Sequence, residues 1–521
     1  METNRPKIAQ RFIWYSPAIV VTVLLAVVIY IFPSPPSSTS LGRVNLANLG
    51  TSMAGKPGMT VNNTECSPGV RQVSWSKYSP ICEPKWSGYN GGATSPGVSG
   101  STITLTYREP NSAGASFLEN VFGASEIGTN AEAVSTMQTY VNLFNKTFEL
   151  YGRKVVLKPF LGKGDFLNEL QGQGLEQARS DALTAKGLNA FADISLLSST
   201  QPYDEYLANN GIVAIGAIAQ PQWWFQEYAP FEYSPIPNCD TAVKTLAIGL
   251  GRAMANMPAI FAGDPVLQRK TRVFGLIFPE NPTYASCGNE LSTLLAKKYN
   301  IKMARTIEYS IDFSVESSEA LSAIAQMKSH GVTTVLCGCD PIFPILASGD
   351  AVNQNYSPEW LSIDYEDIFS QVTNQTEWAH SLSSGLLLPN KTNQEAFKAY
   401  QIADKTGVMS PQFALIYVPL LLFFDALQAA GPDLTPESFE QGYFRLPNSL
   451  PNGNYGAWHF GQNIFSPIAD FNILWWNTKA ISPQDGKPGT YEPCNGGKRY
   501  PMSPYGASLL LNHVQLSCFG K

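Results

Sequence analysis

Residues 333–341, "TTVLCGCDP", place two cysteines one residue apart and an acid directly after them. Cysteines at this spacing suggest either a metal or redox centre or two members of structural disulfides. A metal centre needs further Cys or His nearby, and the nearest, His330, precedes the strand that this run predicts. A redox pair usually has the spacing C-x-x-C. We therefore predict structural disulfides for Cys337 and Cys339, provided that the chain is exported.

The sequence contains no pattern typical of a known catalytic centre. It has no G-x-S-x-G, H-E-x-x-H, P-loop or G-x-G-x-x-G motif. The four histidines, at 330, 380, 459 and 513, lack metal-ligand spacing to one another. Acid pairs such as Asp364 with Glu366 suit glycoside cleavage, but nothing distinguishes them from other acids. We expect a protein without catalytic activity, metal or cofactor.

The composition sets the class of protein. A chain of 521 residues is too long for one compact core and predicts two or three structural units. Only 15% of its residues are charged, against roughly 25% in an average protein. The net charge of -6 and the lack of a basic stripe exclude nucleic acid as an expected partner.

The N-terminus predicts a membrane anchor. Residues 12–32 form an uncharged apolar run, which at ~1.5 Å per residue spans a bilayer as a helix. Arg5, Lys7 and Arg11 precede the run, so the positive-inside rule places residues 1–11 in the cytoplasm. We expect a single-pass protein of the cell membrane whose main domain is extracytoplasmic. The alternative is a signal peptide cleaved after residues 38–40, "STS".

If the chain is exported, its even number of cysteines predicts disulfide bonds. We predict two local disulfides, Cys66–Cys82 and Cys494–Cys518. The other four cysteines are expected to pair among themselves, with their connectivity left open. These four are Cys239, Cys287, Cys337 and Cys339.

The remaining pattern alternates short apolar runs with stretches of helical character, which predicts βαβ units and mostly parallel sheets. It starts near residue 100 and restarts near residue 236, after an extracytoplasmic linker (33–99) that contains one cysteine loop. We predict an α/β protein with two doubly wound lobes. Their expected ranges are 100–235 with 385–455 for lobe 1, and 236–384 with 456–521 for lobe 2. Residues 459–478 are expected to form an edge hairpin.

This layout resembles the type I periplasmic binding proteins, the solute-binding components of branched-chain amino-acid and amide-type transporters. The resemblance rests on "ITLTYREP", "YVNLFNKTFELYGRKVVLKPFLGKGD", "RVFGLIFPENPTYASCGNEL", "MKSHGVTTVLCGCDP" and "HFGQNIFSPIADFNILWW". It covers roughly residues 100–480. It implies two α/β lobes joined by three crossovers, which close on a small ligand.

The resemblance also implies the ligand-binding residues. The small residues that would hold a carboxylate or polar head after two strands of lobe 1 correspond to Ser198, Ser199, Ala217 and Ala219. A tyrosine after the first strand of lobe 2 corresponds to Tyr284. The acid that pairs with an amino group falls near Asp340. Among the aromatic residues, Trp223 and Trp224 suit either the cover of an apolar ligand or core anchors.

Two alternatives remain open at this stage. Asp340 precedes a proline and a helix, so it suits a helix cap as well as a ligand contact. The whole chain suits either capture of an amino-acid-like or amide-like solute for an ABC permease, or a surface sensor of the same fold. An enzyme is the third and weakest hypothesis.

Overall fold

The computed structural model describes residues 53–363, 367–386, 390–451, 455–502 and 516–519. The expected cytoplasmic tail and membrane anchor, residues 1–32, lie outside these ranges. Strands in the described part form a small antiparallel pair and two larger sheets. In chain order the strands are β1 (Gly58–Met59), β2 (Glu65–Cys66), β3 (Thr102–Glu109), β4 (Lys154–Leu161), β5 (Ala192–Asp193), β6 (Val213–Ile215), β7 (Glu232–Tyr233), β8 (Phe274–Pro279), β9 (Arg305–Tyr309), β10 (Thr334–Cys337), β11 (Glu359–Ile363), β12 (Ser381–Gly385), β13 (Asp470–Ile481), β14 (Pro488–Pro493) and β15 (Arg499–Pro501).

The first sheet is wholly parallel, in the order β4-β3-β5-β6-β7. Its inner strand β3 is buried on both faces between its two end residues, as expected of a parallel strand covered by helices on both sides. The edge strand β4 alternates between buried and more exposed side chains. The parallel α/β prediction is confirmed for this sheet.

The second sheet has the order β14-β13-β12-β11-β10-β8-β9, with β15 paired to β13. Strands β8 to β12 are parallel, whereas β13 runs antiparallel to β12 with Leu382 opposite Trp475. The sheet is therefore mixed, with an antiparallel hairpin, β13–β14, at one side.

Helices cover both sheets. In chain order they are α1 (Ser112–Phe122), α2 (Ala124–Ile127), α3 (Asn130–Thr147), α4 (Phe166–Leu170), α5 (Leu175–Gly187), α6 (Gln201–Asn209), α7 (Gln222–Glu227), α8 (Cys239–Ala253), α9 (Pro265–Gln268), α10 (Pro282–Tyr299), α11 (Glu316–Ser329), α12 (Phe343–Asn353), α13 (Asp367–Gln371), α14 (Gln375–Trp378), α15 (Glu395–Ala403), α16 (Phe413–Ala430) and α17 (Pro436–Phe444). Short 3₁₀ turns lie at Leu196–Ser198, Lys391–Asn393 and Asn495–Gly497.

The chain passes between the sheets three times within the described residues. After β7 it forms α8, which packs on α10 beside the second sheet. After β12 it forms α15 and α16, which pack on α3 beside the first sheet. It then returns as β13. We call the elements around the first sheet the first half and those around the second sheet the second half.

The largest core lies in the first half, under α16. Helix α16 buries Tyr417, Leu421 and Phe424 completely, and the rings of Phe424 and Phe144 of α3 lie 5.1 Å apart. Among the described residues, α16 is the one helix long and apolar enough to cross a membrane, but 78% of it is buried. Such burial is typical of a core helix.

The expected hairpin at residues 459–478 is wrong. Phe460 and Phe465 pack in the core of the first half, and only the stretch from Asp470 onward joins the second sheet. The hairpin partner of β13 is β14, farther along the chain. Aromatic residues on both sides of Pro467 gave the pattern of two strands, but those before Pro467 do not lie in a strand of the second sheet.

Four disulfides link the eight cysteines. The two predicted local pairs, Cys66–Cys82 and Cys494–Cys518, have Cα atoms 5.6 Å and 4.7 Å apart. The four remaining cysteines pair among themselves. Their bonds are Cys239–Cys287 and Cys337–Cys339.

Candidate functional site

A buried ion-pair network lies at the carboxyl end of β3. Arg108 Nη1 donates to Glu169 Oε2 at 3.0 Å, and Nε donates to Asp181 Oδ2 at 3.0 Å. A second bond joins Arg108 Nη2 to Glu169 Oε1. The guanidinium also lies 4.4 Å from the centre of the Tyr203 ring. Because both acids already neutralise it, this arginine has little charge left for a ligand.

The neighbouring strand β5 ends on a third buried acid, Asp193. Its carboxylate accepts hydrogen bonds from Thr106 Oγ1 at 2.6 Å, from Tyr203 Oη at 3.1 Å and from Ser195 Oγ. Burial raises the pKa of Asp193 to about 6, although these hydrogen bonds oppose the rise. The edge of the first sheet is thus a satisfied polar network.

The serines predicted from the resemblance are tied into the first half. Ser198 is buried, and its Oγ donates to the carbonyl of Arg108 at 2.5 Å. Ser199 is only partly buried, and its Oγ donates to Asp204 Oδ2 at 2.6 Å. Asp204 is buried, and this burial raises its pKa well above the ordinary value. Ser199 and Asp204 therefore form a polar pair, whereas Ser198 braces the strand end.

Some of the predicted ligand-binding residues in and after the loop that follows β6 are buried, and others are accessible. Ala217 is completely buried in the core. Ala219 is partly exposed and has a φ of +54°, a backbone conformation that a residue with a Cβ rarely adopts. Trp223 is 49% exposed, whereas Trp224 is buried and donates from Nε1 to Glu205 at 3.0 Å. Of the tryptophan pair, Trp223 is the one available to cover a ligand.

Tyr284 lies between the two halves. It stands in the first turn of α10, and the preceding Thr283 donates from Oγ1 to Gln201 Oε1 of the first half at 2.6 Å. Burial raises the pKa of Tyr284 to about 12, and the carboxylates of Asp204 and Asp340 add to this rise. The Gln220 side chain of the first half opposes the rise. The phenol therefore lies near an acid of each half.

Asp340 follows β10 and is already hydrogen-bonded. Its Oδ1 accepts from the amides of Ile342 at 2.7 Å and Phe343 at 3.3 Å, where α12 begins. Tyr309 Oη donates to Oδ2, and the amide of Asp340 donates to Tyr309 Oη at 2.9 Å. The helix-cap interpretation is thus supported by direct contacts. Because the residue is partly exposed, contact with a ligand is still sterically possible.

A second acid accompanies Asp340. Glu316 starts α11 and is completely buried. Burial raises the pKa of Glu316 to about 9, with a further rise from the neighbouring Asp340 carboxyl. Neither acid has a salt bridge within the described part of the chain. This edge of the second sheet therefore favours a ligand that donates hydrogen bonds or carries positive charge.

Sequence reasoning missed four members of this group. They are Asp204, Gln220, Tyr309 and Glu316. Gln220 lies in a loop that the topology already marked, since ligands bind beyond the carboxyl ends of parallel strands. Its Oε1 is buried without a hydrogen-bond partner among the described residues, which leaves an acceptor for a ligand. No local signal marks Glu316 and Tyr309, because they reach Asp340 through the fold.

The cysteines next to Asp340 do not form a metal centre. Cys337 and Cys339 are buried and bonded to each other. In the described part of the chain, the one grouping with metal-ligand spacing is Cys239, Asp240 and Cys287, whose two sulfur atoms are themselves joined. A thiolate is therefore not free at either place, since a disulfide removes both ligands.

The fold is similar to that of solved solute-binding proteins. A fatty acid ABC transporter substrate-binding protein from Thermomonospora curvata is 14% identical, with a TM-score of 0.53 over 78% of this chain and 94% of that one. A type 1 periplasmic binding protein from Bordetella pertussis is also 14% identical, with a TM-score of 0.50 over 75% and 99%. A leucine-, isoleucine-, valine-, threonine- and alanine-binding protein from Brucella ovis, in a closed conformation, is 12% identical, with a TM-score of 0.50 over 80% and 98%.

These likenesses show the fold, which is that of the type I periplasmic binding proteins. No family model matches the sequence. No curated protein matches it either. The predicted fold class is therefore confirmed for the α/β part of the chain.

Proposed function

We propose that the protein is an extracytoplasmic solute-binding protein that holds a small ligand between its halves. The observation that carries this proposal is the position of Tyr284. The carboxylates of Asp204 in one half and of Asp340 in the other both raise its pKa. Open α/β sheets bind ligands beyond the carboxyl ends of their strands, and these residues lie there in both halves. We call this group the Tyr284 cleft.

The chemistry of the cleft favours a ligand with a polar or cationic head and a less polar body. Asp340 and Asp204 suit an ammonium or amide donor, and Gln220 offers a buried acceptor. The exposed ring of Trp223 suits an apolar segment. An amino-acid-like or amide-like solute combines these features. The name of the Thermomonospora curvata protein adds fatty acids as the class to test against it.

Delivery to an ABC permease is part of the proposal, as is tethering by residues 12–32. Two lobes would close on the ligand. They are residues 100–235 with 385–455, and residues 236–384 with 456–521. Reporter fusions test the topology. A reporter at residue 5 should be cytoplasmic and one at residue 100 extracytoplasmic, and a cytoplasmic reporter at the C-terminus would contradict the orientation.

Thermal-shift screening of the full chain tests the ligand class. The screen compares the twenty amino acids, short amides and fatty acids of six to sixteen carbons. A ligand present at about 100 times its Kd adds about 2.7 kcal/mol to the free energy of unfolding. We expect a shift with an amino acid or amide, and its reduction in Asp340→Asn. A shift with fatty acids alone would contradict the ligand class, and the absence of any shift would contradict solute binding.

A further inference from the structure

A separate cavity of about 300 Å³ lies beside the second passage between the sheets. None of the Tyr284-cleft residues lines it. We call it the crossover cavity. Its lining consists of Ser125, Glu126, Asp367, Ile368, Lys391, Gln394, Met409, Pro411, Gln412, Phe413, Ala414, Leu415, Gln484 and Asp485. Its volume is at the lower end of the range of small-molecule pockets, ~300–1,000 Å³.

Both halves contribute walls to this cavity, and polar contacts connect them. Lys487, in the β13–β14 turn, lies 2.7 Å from Glu126 Oε1 of the first half. Gln412 Nε2 donates to the carbonyl of Glu126 at 2.8 Å. Gln394 Nε2 donates to Gln484 Oε1 at 2.8 Å. The space therefore lies between the two halves and is lined by both.

One end of the crossover cavity is electropositive. The N-terminus of α16, an 18-residue helix, opens there without a side-chain cap from Gln412. The amides of Ala414 and Leu415, in its first turn, have no hydrogen-bond partner among the described residues. Lys391 lies on the same wall, with Nζ 5.5 Å from the centre of the Phe413 ring, and forms no salt bridge within the described residues. A carboxylate suits such a helix start beside a free ammonium.

The facing wall is acidic. The side chain of Asp485 is only 5% exposed, and its Oδ2 has no hydrogen-bond partner in the described part of the chain. The nearest cation, Lys487 Nζ, is 3.8 Å from that oxygen. Asp367 is also buried, and its Oδ2 accepts from Ser482 at 2.7 Å. A buried carboxylate oxygen without a hydrogen bond is costly, so a donor on a ligand would offset that cost.

We propose that the crossover cavity is a second binding site, which takes a small zwitterion with a carboxylate and an ammonium group. The carboxylate faces Lys391 and the start of α16, and the ammonium faces Asp485. The hydrocarbon part of the ligand, which joins its two charged groups, contacts Met409, Pro411 and Phe413. A simple anion would leave Asp485 Oδ2 without a hydrogen-bond donor, and a simple cation would meet Lys391.

Occupancy of this site is linked to the arrangement of the halves, because the ligand contacts both. A ligand that binds one arrangement more tightly shifts the population toward it. By linkage, a ligand in the crossover cavity and one in the Tyr284 cleft then change each other's affinity by the same factor.

Binding of three probes of equal length tests the charge requirement. Isothermal titration of the full chain compares 6-aminohexanoate, hexanoate and hexylammonium. We expect 6-aminohexanoate to bind about tenfold more tightly than either singly charged probe, or better, since each of those contacts only one of the two charged walls. No saturable binding of 6-aminohexanoate, or equal binding of all three probes, would overturn the proposal.

Variants locate the bound probe. Lys391→Met should weaken 6-aminohexanoate binding about tenfold, whereas Lys398→Met, an exposed lysine on the adjoining α15, should leave it unchanged. Ala414→Leu should block the probe by filling the space, and circular dichroism verifies that each variant is folded. Asp340→Asn should not change probe binding. If Asp340→Asn weakens binding as Lys391→Met does, the probe occupies the Tyr284 cleft and the crossover site is disproved, while solute binding stands.

Discussion

At the carboxyl edge of the first sheet Arg108 pairs with Glu169 and Asp181, whereas at the corresponding edge of the second sheet Asp340 and Glu316 have no salt bridge among the described residues. Both edges are acidic and largely buried. In the first, the charge is neutralised within the protein. In the second, Glu316 is held neutral by burial and Asp340 is tied to helix amides and to Tyr309.

This difference indicates different roles for the two edges. A network whose charges are already paired stabilises the fold. Only the accessible side chains at its surface can then bind a ligand. An acid that lacks a cation can receive one from a ligand, at the cost of a less favourable unliganded state. We therefore expect substitutions at the first edge to affect mainly stability, and those at the second to affect mainly binding and its dependence on pH.

The largest expected effect is on stability, in Arg108→Met. Removal of the guanidinium leaves Glu169 and Asp181 buried without a counter-charge. Breaking a buried pair in this way costs about 3–5 kcal/mol of unfolding free energy. Urea denaturation measures this change. Arg445→Met, at an exposed arginine, is the control and should stay within about 0.5 kcal/mol. A loss below about 1 kcal/mol in Arg108→Met would remove the distinction between the edges.

The second edge is tested by Asp340→Asn once a ligand is identified. Asparagine retains an oxygen for the amides of Ile342 and Phe343, so the helix cap should survive. Loss of the charge should weaken an ammonium-bearing ligand by about 2–5 kcal/mol, measured by titration calorimetry. Glu308→Gln, at an exposed acid on β9, serves as the control. Unchanged affinity in Asp340→Asn would leave this residue a cap and move the ligand contact to Tyr284 and Ser199.

The pH dependence of stability tests Glu316. Its pKa is about 9 in the folded protein, against an ordinary value of 4.5. The folded state therefore keeps a proton that the unfolded chain releases, so stability is lost as pH rises from about 4.5 to about 9. In Glu316→Gln the loss of stability that comes from ionisation of Glu316 should vanish. At pH 9 the variant should therefore be more stable than the parent by at least ~1.4 kcal/mol, the free energy of one pKa unit.

Chemical denaturation at pH 5, 7 and 9 measures the effect, because acids that do not interact with Glu316 contribute equally to parent and variant. Glu65→Gln, at an exposed acid, should follow the parent curve at all three values. Parallel curves for Glu316→Gln and the parent would show that Glu316 is ionised in the folded state.

Local patterns in the sequence predict much of this fold. The β-branched run before Cys337 predicts β10, and the short loop between Cys66 and Cys82 predicts their disulfide. Such features depend on neighbours in sequence. The stretch 459–478 shows the limit, because Phe460 and Phe465 pack in the first half whereas Trp476 packs in the second. Sequence periodicity carries no information on which core a side chain joins.

The site was less predictable for the same reason. The loops after the strands follow from topology, but the hydrogen bond from Tyr309 to Asp340 joins residues 31 positions apart. Glu316 approaches Asp340 only because β9 and β10 flank β8 in the sheet. The ligand contacts expected at Ser198, Ser199, Ala217, Ala219, Trp223, Tyr284 and Asp340 stay predictions.

The smallest expected effect concerns the hydroxyl that connects the two edges. The Gln220 side chain of the opposite half lowers the pKa of Tyr284, so Tyr284→Phe tests whether this hydroxyl forms a hydrogen bond between the halves. We expect the unfolding free energy to fall by about 0.5–1.5 kcal/mol, the net value of one such bond. Tyr299→Phe is a matched control, since that hydroxyl is buried without a partner in the described part of the chain. Its removal should be neutral or stabilising. Equal losses in the two variants would mean that the Tyr284 hydroxyl contributes only packing, and the edges would then be coupled by other contacts, such as that between Thr283 and Gln201.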